Sequence, residues 1–153
     1  SVLEQNPFPF KAQLEQTALF VAGHGTGRNE NSRKAIERQV SLIRARAMFA
    51  EVHAVFMEEE PRIEDCFTIA SSRNLVVVPF FISDGLHTNE DIPVMLGESR
   101  KAVRRRMEQG CATWRNPTER KGKMLWYSTS VGSEPKIADV IMERVREVAA
   151  LGF

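Results

Sequence analysis

The sequence predicts an α/β fold: a three-layered, flavodoxin-like parallel sheet of four strands in the order 2-1-3-4, with helices on both faces. Three observations predict it. Four short apolar runs rich in β-branched and aromatic residues alternate with four stretches of helical periodicity, the pattern of parallel strands joined by right-handed crossovers. The most continuous run, NLVVVPFF from Asn74 to Phe81, has the composition of a central strand buried on both faces. The chain has 153 residues, 42% hydrophobic and 27% charged, which suits one core and is too little for two ordinary domains.

Residues 1–16 carry Pro7 and Pro9 between Phe8 and Phe10. Proline fixes φ and restricts its predecessor, so an extended arm or linker is expected there, with a single domain over 17–153. TALFVA, Thr17 to Ala22, reads as a buried first strand ending in GHGTGRNENS. Asn31 or Ser32 can cap a helix with Ile36, Val40, Ile43 and Ala47 on one side. EVHAVF, Glu51 to Phe56, is the second strand, and Pro61 suits the first turn of a helix carrying Ile63, Phe67 and Ala70. Asn74 to Phe81 is the third strand, with Pro79 expected near its end. A loop holding His87 follows, then a helix from Asp91, Ile92 and Pro93 through Val103 and Met107 to Gly110. Cys111 to Lys123 has no clear period and reads as loop. MLWYST, Met124 to Thr129, is the fourth strand. Ser133, Glu134 and Pro135 open a last helix with Ile137, Ile141, Val145 and Val148 on one face.

Composition narrows the function classes. No apolar run approaches the roughly 20 residues that cross a bilayer, and residues 1–16 lack the basic start and apolar segment of a secretory signal. Cys66 and Cys111 stand far apart in no metal or redox spacing, so a reducing cytoplasm is the expected compartment. The net charge of +1 does not favour a nucleic-acid partner for the whole chain.

In open parallel sheets, ligands bind beyond the carboxyl ends of the strands, at the switch point between strands one and three. His24 follows strand one, Glu58 strand two and His87 strand three, so all three are expected at one edge. Two imidazoles and a carboxylate suit a divalent first-row metal, and three protein ligands leave a position for water or substrate. His53 lies inside strand two and reads as structural. GHGTG could cradle a phosphate at a helix start, but it matches neither Walker A nor the dinucleotide fingerprint.

These residues carry a family resemblance. VAGHGTGRN from Val21 to Asn29, FME from Phe56 to Glu58 with Pro61, PFFISDGLH from Pro79 to His87 and EDIP from Glu90 to Pro93 resemble the CbiX-type sirohydrochlorin chelatases, ATP-independent lyases related to ferrochelatase. YSTSVGSEP from Tyr127 to Pro135 resembles the family's last strand and helix start. The resemblance implies insertion of cobalt or iron into sirohydrochlorin or a related reduced tetrapyrrole, on the route to cobalamin or sirohaem. It implies His24, His87 and Glu58 as both metal-binding and catalytic residues, and Thr26, Arg28 and Asn29 as candidates to hold peripheral carboxylates. The metal is then a substrate, and no prosthetic group is expected. A homodimer or a covalently linked second chelatase domain is the expected assembly. A non-catalytic metal- or tetrapyrrole-binding module, including one half of a larger chelatase, is the alternative.

Residues 100–123 hold nine basic side chains (Arg100, Lys101, Arg104, Arg105, Arg106, Arg115, Arg120, Lys121, Lys123) against Glu108 and Glu119. Such a patch could attract a polycarboxylate macrocycle, with Trp114 stacking on it, or hold nucleic acid; a solvated helix face and loop is the plainer reading.

Overall fold

The computed structural model describes residues 14–25 and 30–152. The central strand is β1 (Thr17–Gly23), all seven of whose residues are buried. It pairs in parallel with β2 (Glu51–Phe56) on one side and β3 (Asn74–Pro79) on the other. β4 (Thr118–Arg120) and β5 (Lys123–Tyr127) follow, and the sheet order is β2-β1-β3-β5-β4. The four parallel strands thus take the expected 2-1-3-4 order, with β5 in fourth place. The additional strand β4, antiparallel to β5, corrects the reading of 111–123 as loop. Lys121 and Gly122 both have positive φ, 51° and 75°, which suits the tight two-residue turn of a hairpin. A three-residue strand is too short to display its alternation in the sequence.

On one face of the sheet, α1 (Glu30–Ala45) packs Ile36 and Val40 against Leu19, Val21, Val52 and Phe56. The helix stops short of Ala47, which was expected on its apolar side and instead has φ 51°. On the other face, Phe20, Val55, Leu75, Val77 and Leu125 are covered by Ile63 and by Phe67 of α2 (Cys66–Ile69). Ile92 of α3 (Ile92–Met95) and Leu96 complete that layer. The helix expected from Pro61 begins later: the Pro61 carbonyl accepts from the Phe56 N–H at 2.8 Å, so this stretch lies along the end of β2. β3 alternates, with Leu75, Val77 and Pro79 buried and Val76 and Val78 half-buried, and ends two residues before Phe81. It is not sealed on both faces.

The long helix expected over 91–110 is three pieces. A π-helical turn, His87–Asp91, leads into α3; the chain then breaks at Gly97, φ 111°. It restarts as α4 (Arg100–Glu108), where the Ser99 hydroxyl accepts from the Ala102 N–H at 3.1 Å. His87 therefore opens a helical turn and is not on a loop. The last helix, α5 (Lys136–Ala149), carries its apolar stripe but buries none of its residues. No helix of the described residues is long and apolar enough to cross a membrane. Most of the expected arm, 1–13, lies outside the described residues.

At the amino-terminal edge of the sheet, one carboxylate ties two crossovers together. Glu51 accepts from the Ser71 and Ser72 N–H groups, at 3.0 and 2.9 Å, and from the Ser72 hydroxyl at 2.8 Å. It also lies 3.1 Å from His53 Nε2. Burial pushes this carboxyl up, but the bonds from His53, Ser72 and Ser71 outweigh it and hold it down at about 2. A depressed folded value contributes stability above the unfolded range of about 4.3, and that contribution disappears as pH falls through the folded value. Glu51→Gln should therefore cost about 1–3 kcal/mol at neutral pH. Its deficit relative to the parent chain should shrink between pH 4.5 and 2, read by denaturant melts across that range.

Candidate functional site

The site edge is built by strands that end level. Gly23 pairs with Phe56, and Ala22 pairs with both Val55 and Pro79. The ladder runs on past the strands: Met57 N–H donates to Gly23 O at 3.0 Å and Glu58 N–H to His24 O at 3.1 Å. Gly25 allows this close approach. Its φ is +63°, and a Cβ there would lie 2.6 Å from Phe56 Cβ and 2.8 Å from Glu59 Cγ. Arg33 of α1 donates to Glu60 O at 2.8 Å and holds the 57–60 turn.

The three residues expected to converge do so. The His24 and His87 rings meet edge to face with centroids 5.1 Å apart, and His24 Nε2 lies 3.6 Å from Glu58 Oε1. That separation is too long for a hydrogen bond, so Glu58 stands beside His24 without being locked to it. Their side chains are 33% (His24), 56% (Glu58) and 49% (His87) exposed. Among the described residues, no three His, Cys, Asp or Glu side chains are already gathered as a cage for an ion. The donor set still fits a divalent first-row metal in kind, two imidazoles and a carboxylate, and it is open rather than closed. Thr26, Arg28 and Asn29 lie outside the described residues.

One residue at this edge was missed in the sequence. Asp91 Oδ2 accepts from His87 Nδ1 at 2.9 Å, and its Oδ1 accepts from Arg100 Nη1 at 3.3 Å. An ionised carboxylate can only accept, so Nδ1 carries the proton, and in the neutral imidazole Nε2 is the nitrogen free to act as ligand or proton acceptor. Burial raises the Asp91 carboxyl, but the bonds from His87 and Arg100 outweigh it and leave the group below its usual range. The signal was the i, i+4 spacing of His87 and Asp91, hidden because Asp91 had been assigned to the start of the next helix. Thr88 behind them is fixed by Tyr127, whose buried hydroxyl donates to Thr88 O at 2.6 Å; burial raises its pKa. His53 is stacked on Phe20 at 5.1 Å and tied to Glu51, the structural role expected of it.

Two apolar hollows flank the histidines and share Phe81 and Ile82. One, about 350 Å³, is lined by His24, Ser32, Ala35, Ile36, Phe80, Phe81, Ile82 and Val131. The other, about 420 Å³, runs past Ser83, Gly85, Leu86, His87 and Asp91. Both fall in the size range of small-molecule sites. Val131 is held there by Gly132, whose N–H donates to Phe81 O at 2.8 Å; a Cβ at 132 would land on the Ile82 carbonyl. Ser130 N–H donates to Asp84 Oδ1 at 2.9 Å.

The basic segment is largely consumed by the fold. The buried Glu90 pairs with Arg104 Nε and, at 3.4 Å, with Arg100; the buried Glu98 pairs with Arg106 at 3.2 Å and Arg120 at 3.0 Å. Lys123 Nζ donates to Ala70 O and Ser72 O. Trp114 is 3% exposed and its indole N–H donates to Leu125 O at 3.3 Å. It is a core residue and cannot stack on a ligand, which corrects that expectation.

Two outcomes follow from this geometry. Asp91→Asn should shift the His87 ring nitrogens away from the Nδ1–H pattern in ¹⁵N spectra, with folding unchanged. Gly132→Ala should displace the 131–133 turn and cost about 1–3 kcal/mol in thermal or denaturant melts, whereas an unshifted transition would mean the turn is not so confined.

The family model described as CbiX matches residues 18–148. The chain is 43% identical over 132 residues to a probable sirohydrochlorin cobaltochelatase of Halobacterium salinarum, covering 86% of this chain and 42% of that protein. It is 29% identical over 144 residues to a sirohydrochlorin cobaltochelatase of Methanopyrus kandleri, covering 88% of this chain and 97% of that one. The chain thus spans less than half of the halobacterial relative and nearly all of the Methanopyrus one. Among solved structures, the multi-domain protein DR2241 from Deinococcus radiodurans superposes with TM-score 0.73 at 21% identity, over 87% of this chain and 29% of that one. The sirohydrochlorin chelatase SirB from Bacillus subtilis subspecies spizizenii, in complex with cobalt, gives TM-score 0.62 at 18% identity, over 88% and 51%. These structural likenesses establish the shared fold.

Proposed function

The chain belongs to the CbiX family, and from that premise we propose that it inserts a divalent metal, cobalt or iron, into sirohydrochlorin or a related reduced tetrapyrrole. The observation that carries the reading is the His24–His87 pair, centroids 5.1 Å apart with Glu58 beside His24, between two apolar hollows. The names of the relatives, sirohydrochlorin cobaltochelatases, supply the substrate class.

Insertion replaces two pyrrole N–H protons by one M²⁺, so the ion must be held weakly and two protons must leave. Side chains one-third to somewhat over half exposed suit delivery better than storage. The carboxylate of Glu58 offsets metal charge. The bare Nε2 of His87, set by Asp91, can take metal or a pyrrole proton. Phe80, Phe81, Ile82 and Leu86 offer an apolar bench for a flat macrocycle. Thr26, Arg28 and Asn29, beside His24 in sequence, are the candidates for its peripheral carboxylates. We place this chemistry in the cytoplasm, consistent with the free thiols of Cys66 and Cys111.

A second chelatase unit, either another copy or a linked domain, would close this open surface over the macrocycle. The coverage of 42% of one relative and 97% of another is compatible with both arrangements.

The test is absorbance-monitored conversion of sirohydrochlorin with Co²⁺ and Fe²⁺ offered separately. His24→Ala and His87→Ala should each lower the rate by at least about a hundredfold, with circular dichroism unchanged. Full activity in both would remove the proposal, and saturable binding of macrocycle without conversion would assign the chain to a non-catalytic binding module.

A further inference from the structure

The arginines that pair with buried carboxylates in 100–123 are of two kinds. Arg106 and Arg120, 19% and 27% exposed, turn inward to the buried Glu98. Arg100 and Arg104, 44% and 63% exposed, stand at the surface. They lie i, i+4 on α4 and so share one side of that helix. Both reach the π-turn that carries His87.

Their attachment to that turn is partial. Arg100 meets Glu90 at 3.4 Å and Asp91 at 3.3 Å through Nη1, and Arg104 meets Glu90 through Nε. A guanidinium is a planar fork of several N–H donors, and these bonds occupy one nitrogen of each. The forks are thereby fixed in place while most of their donors stay open. An arginine held in advance loses less freedom on meeting a ligand than one waving in solvent.

Their position ties them to the site. Asp91 lines the hollow beside His87 and accepts from its ring at 2.9 Å. Arg100 is bonded to the same carboxylate, so its guanidinium stands at the rim of that hollow. A flat macrocycle seated on Phe81, Ile82 and Leu86, with its centre at the histidines, must carry its periphery past them. On the Asp91 side, Arg100 and Arg104 stand beside that periphery. Glu90 and Asp91 offset their charge in sum. Lys101 and Arg105, exposed and about 100° further round the helix, leave the face positive against the single acid Glu108.

We propose that Arg100 and Arg104 dock an acidic side arm of the tetrapyrrole and so fix its rotation over His24 and His87. An apolar bench holds a flat ring without fixing its rotation, whereas two guanidinium forks orient a carboxylate. The inference rests on the chelatase reading and adds to it two residues that choose by substrate charge.

The test measures binding of metal-free sirohydrochlorin to the whole chain by absorbance, beside the conversion assay with Co²⁺. Arg104→Gln keeps an N–H for Glu90, and Arg100→Lys keeps a cation for Asp91, so both should melt near the parent. Arg104→Gln should raise the dissociation constant about tenfold. Its KM for the macrocycle should rise in step, with kcat and the KM for metal within about twofold of the parent. Arg100→Lys, which loses the fork and keeps the charge, should weaken binding about threefold. The control is Lys101→Gln with Arg105→Gln, which strips charge from the same helix and spares both forks; it should change the constant less than about twofold. Parent-like binding in both arginine variants, or a control that weakens binding as much as Arg104→Gln, would overturn the docking while conversion by the parent left the chelatase reading intact. A parent that binds without converting would remove the chelatase reading, and the same constants would still decide the docking. A parent that does neither would overturn both.

Discussion

The candidate site depends on one backbone hydrogen bond, from Glu58 N–H to His24 O at 3.1 Å. It is the last rung of a parallel ladder that continues past the ends of β1 and β2. It makes the two side chains neighbours even though 34 positions separate them in the chain numbering. The rung forms only because Gly25 turns the chain at positive φ against Phe56 and Glu59. The same register, through Ala22 with Pro79, sets where β3 ends and hence where the chain can carry His87 back over His24. The meeting of these side chains at this edge is a consequence of strand register first and of residue type second.

Behind the edge, a second constraint holds the turn that carries His87. Glu90 and Glu98 are buried carboxylates, each shared by two arginines. Removing one partner from such a pair leaves an uncompensated charge, which costs far more than an exposed pair contributes. Four of the nine basic residues of 100–123 are spent in this way, and Arg100 reaches on to Asp91 and so to His87. Part of the local excess of positive charge is thus internal wiring between α4, the β4 hairpin and the π-turn.

Much of this was legible in the sequence where one period or one residue type decides the structure. The four parallel strands, their order, and the convergence of His24, Glu58 and His87 follow from apolar runs and right-handed crossovers. What was not legible depends on contacts between segments distant in sequence. Trp114 looks available until its indole is seen bonded to Leu125 O in the core. β4 is three residues long and is created by its turn rather than by its own pattern. The break at Gly97 and the π-turn at His87–Asp91 interrupt a helical pattern that the side-chain period alone carries straight through. Pro93 has no N–H to return to Asn89, so an unbroken α-helix there is one bond short. The wider turn takes up the difference and joins Ile92 N–H to His87 O. Asp91 escaped notice for the same reason: it looked like a helix start, and in the structure it is the residue that orients His87.

The segment between β5 and α5 has two duties, and they are mechanically joined. Val131 walls the hollow beside His24, while Gly132 and Ser130 fasten the same few residues to Phe81 and Asp84. From that fastening α5 departs with its apolar stripe open. Whatever seats α5 therefore bears on the turn that shapes the hollow, through fewer than ten residues of chain. Ser130 and Gly132 fix the wall to the site edge without adding a residue to the site itself.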